Sequence, residues 1–173
     1  MYLEISSRQS GKTSRLIEQA KNFAEELCRL HGLNDINEKV IIICHNQDMK
    51  KYIIDKLRGV EIFALKVYDD RGIHYHYRSI FDCIKVFTQR EIAATIIGDE
   101  TKNNFLTKNG VTFTVEYYKI LYDEFAFYDN NDLPINNDCY FYTTPAKSYS
   151  PQELMNCNDF FCQVLRQNNF KYI

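Results

Sequence analysis

Apolar and polar positions in the first part of the chain predict an alternation of strands and helices. The opening "MYLEIS" has the pattern of a short strand, and a helical pattern runs from Ser10 to Gly32. The apolar residues of this helix recur at helical spacing: Leu16, Ala20, Phe23, Leu27 and Leu30. "KVIIICHN" is typical of a strand covered on both faces, and "QDMKKYIIDKL" predicts a second helix. This order favours a parallel sheet with right-handed crossovers.

The middle of the chain has a less regular pattern. "EIFALKVY" suits a strand and "GIHYHYR" alternates, whereas "SIFDCIKVFTQREIAATII", from Ser79 to Ile97, predicts a long helix. "NGVTFTV" places a turn dipeptide before the alternation typical of a half-buried strand.

The last part of the chain predicts two strands and a helix. "YKILYDEF" and "DCYFYTT" suit strands, and residues 150–173 suit a helix opened by Ser150 with Pro151 at its first position. The Asn-rich and Asp-rich "YDNNDLPINND" between the strands predicts a surface loop rather than a linker. Because the sequence has no internal repeat, we expect residues 1–173 to form one α/β domain with a mainly parallel central sheet.

Composition narrows the classes of protein. The 173 residues are 45% hydrophobic, which is enough for one packed core, and a net charge of −2 offers no general attraction to a polyanion. No CxxC pair occurs among the six cysteines, which suits reduced thiols in a cytosolic protein. No segment has the pattern of an export signal or membrane anchor, so we expect a cytoplasmic location, in the host cell if the protein is viral, and no membrane partner.

A candidate phosphate-binding loop follows the first strand, in "ISSRQSGKTS". Such a loop needs a strand, a turn of inward-facing amides and then a helix, and the sequence predicts this context. Lys12 would neutralise the β and γ phosphates of ATP, Thr13 would bind Mg²⁺, and Gly11 would allow close backbone approach. The residues expected to line the triphosphate are Ser7, Gln9, Ser10, Gly11, Lys12, Thr13 and Ser14.

One position departs from the usual pattern of such a loop. Ser6 stands where the first glycine is expected, and a serine there keeps its amide donor but needs a less extreme backbone angle. The alternative is that Ser7 or Ser10 caps an ordinary amphipathic helix and that Lys12 is a solvated side chain.

Two adjacent carboxylates end the strand in "YKILYDEF". Neighbouring residues near a strand end project to different sides, so one can hold a metal ion while the other acts on water. We assign Asp123 to Mg²⁺ and Glu124 to the attacking water. The alternative is a pair of solvated carboxylates at the start of a loop.

Two threonines end the next predicted strand, in "CYFYTTPAKS". Ligand groups gather at the carboxyl edge of a parallel sheet, so Thr143 or Thr144 could sense the γ-phosphate and couple its loss to movement. The alternative is a polar strand end that Pro145 terminates.

Five segments, taken in chain order, resemble the ATPase core of the large terminase subunit, the DNA-packaging motor of tailed bacteriophages. They are "SSRQSGKT", "KVIIICHNQDMKKYIIDKL", "NGVTFTV", "ILYDEFAF" and "FYTTPAK". The resemblance runs discontinuously from Ser6 to about Lys147 and is weak between Val60 and Lys108.

The resemblance implies a fold, an activity and partners. The implied fold is a P-loop NTPase three-layer sandwich of the ASCE/RecA-like type, with Walker A and Walker B motifs. By position, Arg8 would act on the γ-phosphate in cis, Glu124 would be the catalytic carboxylate, and Thr143 with Thr144 would couple hydrolysis to motion. The implied partners are double-stranded DNA, further copies of the chain or other viral packaging proteins. The family's adenine-holding segment and nuclease domain have no counterpart here, so we expect a minimal motor core.

The expected function is therefore Mg²⁺-dependent ATP hydrolysis, with Glu124, Arg8 and Lys12 as catalytic residues. Two alternatives remain: a phosphotransferase acting on a nucleoside or small metabolite, and a terminase-like binding protein that does not hydrolyse ATP.

A few other residues have two interpretations. His74 and His76 could form a two-ligand metal site or be exposed strand histidines. Arg71, Arg78 and Arg90 could reach a neighbouring subunit's nucleotide or form surface ion pairs. "FAFYD" could stack bases or pack into the core.

Overall fold

The structure is a computed structural model that describes residues 1–6, 8–93, 105–108, 111–114, 116–124, 135–144, 152, 156 and 160–167. In these ranges the strands are β1 (Tyr2–Ile5), β2 (Lys39–Cys44), β3 (Glu61–Asp69), β4 (Gly72–Ser79), β5 (Ile84–Thr88), β6 (Phe105–Lys108), β7 (Val111–Thr114), β8 (Tyr117–Asp123) and β9 (Cys139–Thr143). The helices are α1 (Lys12–His31), α2 (Gln47–Leu57), α3 (Gln89–Ala93) and α4 (Phe160–Gln167), with a 3-10 turn at Ile80–Asp82.

A five-stranded parallel sheet is the centre of the fold. Its strand order is β1-β9-β8-β2-β5, so the sequence neighbours β1 and β2 are separated by the two strands that come later in the chain. Two antiparallel hairpins, β3 with β4 and β6 with β7, accompany the sheet. The chain is thus a mixed α/β protein with a mostly parallel central sheet, as the alternation of elements predicts.

Helices pack against both faces of this sheet. Side chains of a strand alternate between its faces, and β2 divides its apolar residues accordingly. Val40 and Ile42 belong to a cluster with the buried residues of α1 and α2, whereas Ile41 and Ile43 belong to a cluster that includes three residues of α4. Because both faces are covered, β2 has the continuous β-branched run that the sequence displays.

The predicted elements agree closely with the observed ones at both ends of the chain. β1, β2, α2, β7, β8 and β9 lie where the pattern places them. α1 begins at Lys12 rather than at Ser10, and its first cap is Gly11. α4 lies within the helix predicted for residues 150–173, but Ser150 and Pro151 lie outside the described residues, as does most of "YDNNDLPINND".

The helix predicted from Ser79 to Ile97 is wrong over its first ten residues, whereas Gln89–Ala93 is helical and residues 94–97 lie outside the described residues. Its place is taken by the 3-10 turn, by β5 and by the five-residue helix α3. Apolar residues at positions 80, 83, 84 and 87 fit helical spacing, which explains the prediction. The stretch forms a strand because β2 pairs with it along five consecutive positions, from Val40 opposite Ile84 to Cys44 opposite Thr88. β-branched residues suit this extended conformation.

Five cysteines agree with the prediction of reduced core thiols. Cys28, Cys44, Cys83, Cys139 and Cys162 are buried as thiols rather than disulfides, and Cys157 lies outside the described residues. In the part of the chain that the structure describes, no helix combines the length and apolar character needed to cross a membrane.

Helix α1 provides a direct test of which face is buried. Leu27 is fully buried, whereas Leu30, which the sequence pattern places on the same face, is 66% exposed. We expect Leu27→Ala to lower the free energy of unfolding by about 2–5 kcal/mol, because it leaves a cavity in the core. Leu30→Ala is the matched control, with an expected change within about 0.5 kcal/mol. Urea unfolding followed by circular dichroism measures both, and equal losses would contradict the packing of α1.

Candidate functional site

The carboxyl ends of β1, β9 and β8 meet at one edge of the sheet. Ile5 lies opposite Thr143, and Tyr142 lies opposite Asp123. The backbone continues these pairings beyond the strands: the Ser6 N–H donates to the Thr143 carbonyl at 3.0 Å, and the Glu124 N–H donates to the Tyr142 carbonyl at 2.7 Å. The parallel register therefore places the candidate loop, the acidic pair and the threonine pair side by side.

The loop between β1 and α1 turns through two left-handed residues. Gln9 has φ 60° and Gly11 has φ 79°. A Cβ atom at Gly11 would lie 3.3 Å from Arg15 Nη1, so both the backbone angle and the space favour glycine there. Gln9 is not a glycine, and such a conformation costs about 1–3 kcal/mol. Strain of this kind is common where a backbone is shaped to hold a ligand.

The side chain of Ser6 stabilises the loop through two hydrogen bonds. Its hydroxyl lies 2.9 Å from Glu4 Oε1, to which it donates, and 2.9 Å from Ser10 Oγ. Arg15 closes the same cluster, since its Nη1 donates to the Ser10 carbonyl at 2.7 Å and its Nε donates to Glu4 Oε2 at 3.1 Å. The hydrogen bonding of Arg15 to the Glu4 carboxylate lowers the pKa of Glu4 below its usual value. The serine that replaces the usual glycine thus holds the turn together; its neighbour Ser7 lies outside the described residues.

Lys12 and Thr13 join the loop to the acidic strand end. Lys12 is only 4% exposed, and its Nζ lies 3.3 Å from Glu124 Oε1. Thr13 Oγ1 donates to Asp123 Oδ1 at 3.1 Å. Lys12 is therefore not a solvated side chain, since it is buried and faces the carboxylate that a buried lysine needs.

Asp123 is fully buried at the end of β8. The pKa of its carboxyl is raised to about 6, chiefly because burial disfavours the charged form; the hydrogen bond from Thr13 lowers the pKa, and the negative charge of Glu124 raises it. A nearby cation would reverse this effect, because an opposite charge favours the ionised carboxylate. The pocket is thus better suited to a carboxylate that binds a positive ion than to a solvated one.

Glu124 has a left-handed backbone, with φ 53°, and its side chain turns toward β9. The backbone N–H of Thr144 donates to Glu124 Oε2 at 2.7 Å, and the hydroxyl of Thr144 donates to Oε1 at 2.9 Å. Together with Lys12, these contacts fix both carboxylate oxygens. The alternative of two solvated carboxylates at a loop start does not fit this geometry.

The two threonines have different surroundings. Thr143 is buried, and its hydroxyl donates to the Thr144 carbonyl at 3.1 Å. Thr144 faces the cavity and holds Glu124. Thr144 is thus the member of the pair that lies at the cavity, whereas the Thr143 carbonyl accepts from the Ser6 N–H at the strand end.

A cavity of about 630 Å³ opens over these groups, large enough for a nucleotide. Its walls include the loop from Arg8 to Ser14, with Arg8 and Gln9 exposed, and Glu124 with Thr144. The opposite wall consists of His45, Met49 and Tyr52, which the sequence interpretation did not include. A signal for His45 was present, since it is the first polar residue after the buried strand β2 at the same sheet edge.

The donor set suits Mg²⁺. Within the described ranges, no group of three or more His, Cys, Asp or Glu side chains is arranged to hold a metal ion. Magnesium in nucleotide sites commonly takes one or two protein oxygens and completes its shell with phosphate oxygens and water. The adjacent oxygens of Thr13 and Asp123 fit that requirement.

The remaining candidates lie away from the cavity or outside the description. His74 and His76 are exposed on β4, and His74 Nε2 lies 3.1 Å from Asp69 Oδ1. Arg78 donates to the Asn34 carbonyl at 2.7 Å, and Arg71 and Arg90 are exposed. The aromatic series "FAFYD" lies outside the described residues.

Comparisons of the chain with protein-family models, with curated proteins and with solved structures find no match. The function is therefore inferred from the residues and their arrangement.

The hydrogen bonds of Ser6 should contribute measurably to the free energy of unfolding. We expect Ser6→Ala to lower the free energy of unfolding by about 1–2 kcal/mol, because it leaves Glu4 and Ser10 without the hydroxyl between them. Ser14→Ala is the matched control, because Ser14 is exposed in the same segment. Urea unfolding of both variants measures the difference, and identical stability would contradict a structural role for Ser6.

Proposed function

We propose that this protein binds ATP with Mg²⁺ and hydrolyses it, as a P-loop NTPase of the ASCE/RecA-like type. One observation carries the proposal: the loop touches the acidic strand end twice, through Thr13 and Asp123 at 3.1 Å and through Lys12 and Glu124 at 3.3 Å. Two motifs about 110 residues apart in sequence thus share one cavity, which is what phosphoryl chemistry on a metal-bound nucleotide requires.

The residues of the loop would hold the triphosphate. Backbone N–H groups at the start of α1 form an anion site, since the helix dipole and the unsatisfied donors both favour a phosphate there. Lys12 would exchange its contact with Glu124 for one with the β and γ phosphate oxygens, and exposed Arg8 could reach the γ-phosphate from the loop. Thr13 and Asp123 would bind Mg²⁺, which would neutralise charge on the same oxygens.

Glu124 would act as the general base for water. In the structure its carboxylate is held by Lys12 and by Thr144, so it occupies a defined position before any ligand arrives. Transfer of Lys12 to phosphate would free Glu124 Oε1 from the ammonium that contacts it in the structure, so that this oxygen could accept a hydrogen bond from water. Thr144 would still position the side chain. Loss of the γ-phosphate would return Lys12 to Glu124, which provides a physical route from hydrolysis to movement of the β9 end.

The biological role rests on the sequence resemblance alone. By that resemblance, hydrolysis would serve viral DNA packaging or translocation on double-stranded DNA, in a homo-oligomer or with other packaging proteins. The net charge of −2 means that DNA contact would need a local basic surface or a partner. Stimulation of ATP turnover by double-stranded DNA would support this part of the proposal.

The catalytic role of Glu124 predicts a separation of binding from turnover. We expect Glu124→Gln to lower kcat by about 10²–10⁴-fold while ATP affinity changes little, because the amide cannot accept the proton. Phosphate release measures turnover and titration calorimetry measures affinity. Glu25→Gln is the control, since Glu25 is exposed on α1 far from its first turn.

The same measurements separate the alternatives. Wild-type protein that binds ATP and releases no phosphate would support the non-hydrolysing alternative, and phosphate that appears only on an added acceptor would support a phosphotransferase. Unchanged turnover in Glu124→Gln would contradict the assignment of the base.

Thr144 is expected to act as a positioning residue. Thr144→Val removes the hydroxyl that donates to Glu124 and should lower kcat by about 10- to 100-fold, the range for one hydrogen bond to a charged group. ATP affinity should stay the same, because the lost contact is to Glu124 rather than to the nucleotide. Thr144→Ser keeps the hydroxyl and should restore most of the rate. A valine variant with wild-type kcat would argue against this role.

A further inference from the structure

A second cavity lies between α1 and β1, the strand at one end of the five-stranded sheet. Its volume is about 300 Å³, roughly half that of the loop cavity. Its lining consists of Tyr2, Glu4, Tyr140 and Tyr142 from the strands and of Arg15, Glu18, Gln19 and Asn22 from α1. We refer to it as the tyrosine groove.

The chemistry of the tyrosine groove suits a flat heterocycle. The Tyr2 ring stacks on Tyr140 at a centroid distance of 5.8 Å and tilts against Tyr142 at 5.6 Å, while 44% of Tyr2 stays exposed. Gln19 and Asn22 carry amides, which can donate to and accept from the edge of a base. Aromatic faces beside amide groups are the combination that binds nucleobases in proteins.

The groove is joined to the phosphate loop by one side chain. Arg15 lines the groove, and its guanidinium donates to the Ser10 carbonyl in the loop and to the Glu4 carboxylate at the edge of the sheet. A ligand that leaves the loop near Ser14 would therefore pass over Arg15 before it reaches the tyrosines.

The order of the strands sets the direction in which a nucleotide would lie. Lys12 and Thr13 contact Glu124 and Asp123 at the end of β8. If these carboxylates mark the γ-phosphate end, the wall of His45, Met49 and Tyr52 lies beyond that end, after β2. Strands are about 4.8 Å apart, so β2 lies about 14 Å from β1. The base must lie at the other end of the triphosphate, on the side of β1, where the tyrosine groove lies.

We propose that the tyrosine groove is the nucleobase subsite of the protein. The inference rests on the proposed function, since it assumes that the loop holds the triphosphate. It assigns base recognition to Tyr2, Gln19 and Asn22, which lie outside the loop cavity. It also implies that the wall containing Tyr52 lies beside the γ-phosphate and does not bind the base.

Because the chain contains no tryptophan, one introduced tryptophan can report on each wall. Tyr2→Trp places the reporter in the groove, and Tyr52→Trp is a matched variant, since Tyr52 is 42% exposed on the opposite wall. Each full-length variant is titrated with ATP and with inorganic tripolyphosphate, both with Mg²⁺. We expect ATP, but not tripolyphosphate, to quench the tryptophan fluorescence of Tyr2→Trp. We expect neither ligand to quench the tryptophan fluorescence of Tyr52→Trp.

Calorimetry of the wild-type chain gives the size of the effect. Stacking on an aromatic side chain should make ATP bind about 5- to 100-fold more tightly than tripolyphosphate. Gln19→Ala should reduce this ratio without changing tripolyphosphate affinity, whereas the matched Gln47→Ala, exposed at the start of α2, should leave it unchanged.

The outcomes distinguish a failure of the proposed function from a failure of the proposed base subsite. Absence of binding of both ATP and tripolyphosphate would overturn the proposed function itself. Binding of tripolyphosphate as tightly as ATP would overturn the base subsite alone. Base-dependent quenching of Tyr52→Trp instead of Tyr2→Trp would place the base on the opposite wall and would also overturn it.

Discussion

The contact between the first turn of α1 and the end of β8 is the constraint on which the site depends. Lys12 is buried, and a buried ammonium is stable only beside an anion, so its position requires Glu124 to be close. Removal of one partner of such a pair typically costs about 3–5 kcal/mol, because the other charge stays buried. The register of β1, β9 and β8 supplies the anion at the right place. Fold and site are therefore coupled through the same few residues.

The same edge of the sheet holds the strained part of the backbone. Gln9 and Glu124 are the non-glycine residues with positive φ in the described ranges, and both line the loop cavity. Such conformations persist only where surrounding bonds compensate for them, here the cluster of Ser6, Glu4 and Arg15 on one side and Thr144 on the other. A ligand would thus enter a cavity whose polar groups already have defined positions, which reduces the entropy lost on binding.

Local patterns predicted most of the sheet because its strands are nearly continuous apolar runs between helices of clear periodicity. The local pattern gave the wrong prediction at β5. Positions 80, 83, 84 and 87 fit a helix, and the segment forms a strand because it pairs with β2. The sequence motifs pointed to Lys12, Thr13, Asp123 and Glu124, which the structure brings into contact, because chemistry restricts which residue types can hold a metal-bound phosphate. The opposite wall and the tyrosine groove were not predictable, since both depend on which strands become neighbours, and periodicity does not determine strand order.

The most direct test locates the metal relative to both motifs. Mn²⁺ with a non-hydrolysable ATP analogue, added to isotope-labelled protein, broadens the NMR signals of nearby amides. The account predicts that the amides of Lys12–Ser14 and those of Tyr122–Glu124 broaden together at the same low metal concentration, while the turn between β3 and β4 is unaffected. Broadening of only one of these segments, or of neither, would contradict a shared nucleotide and metal site.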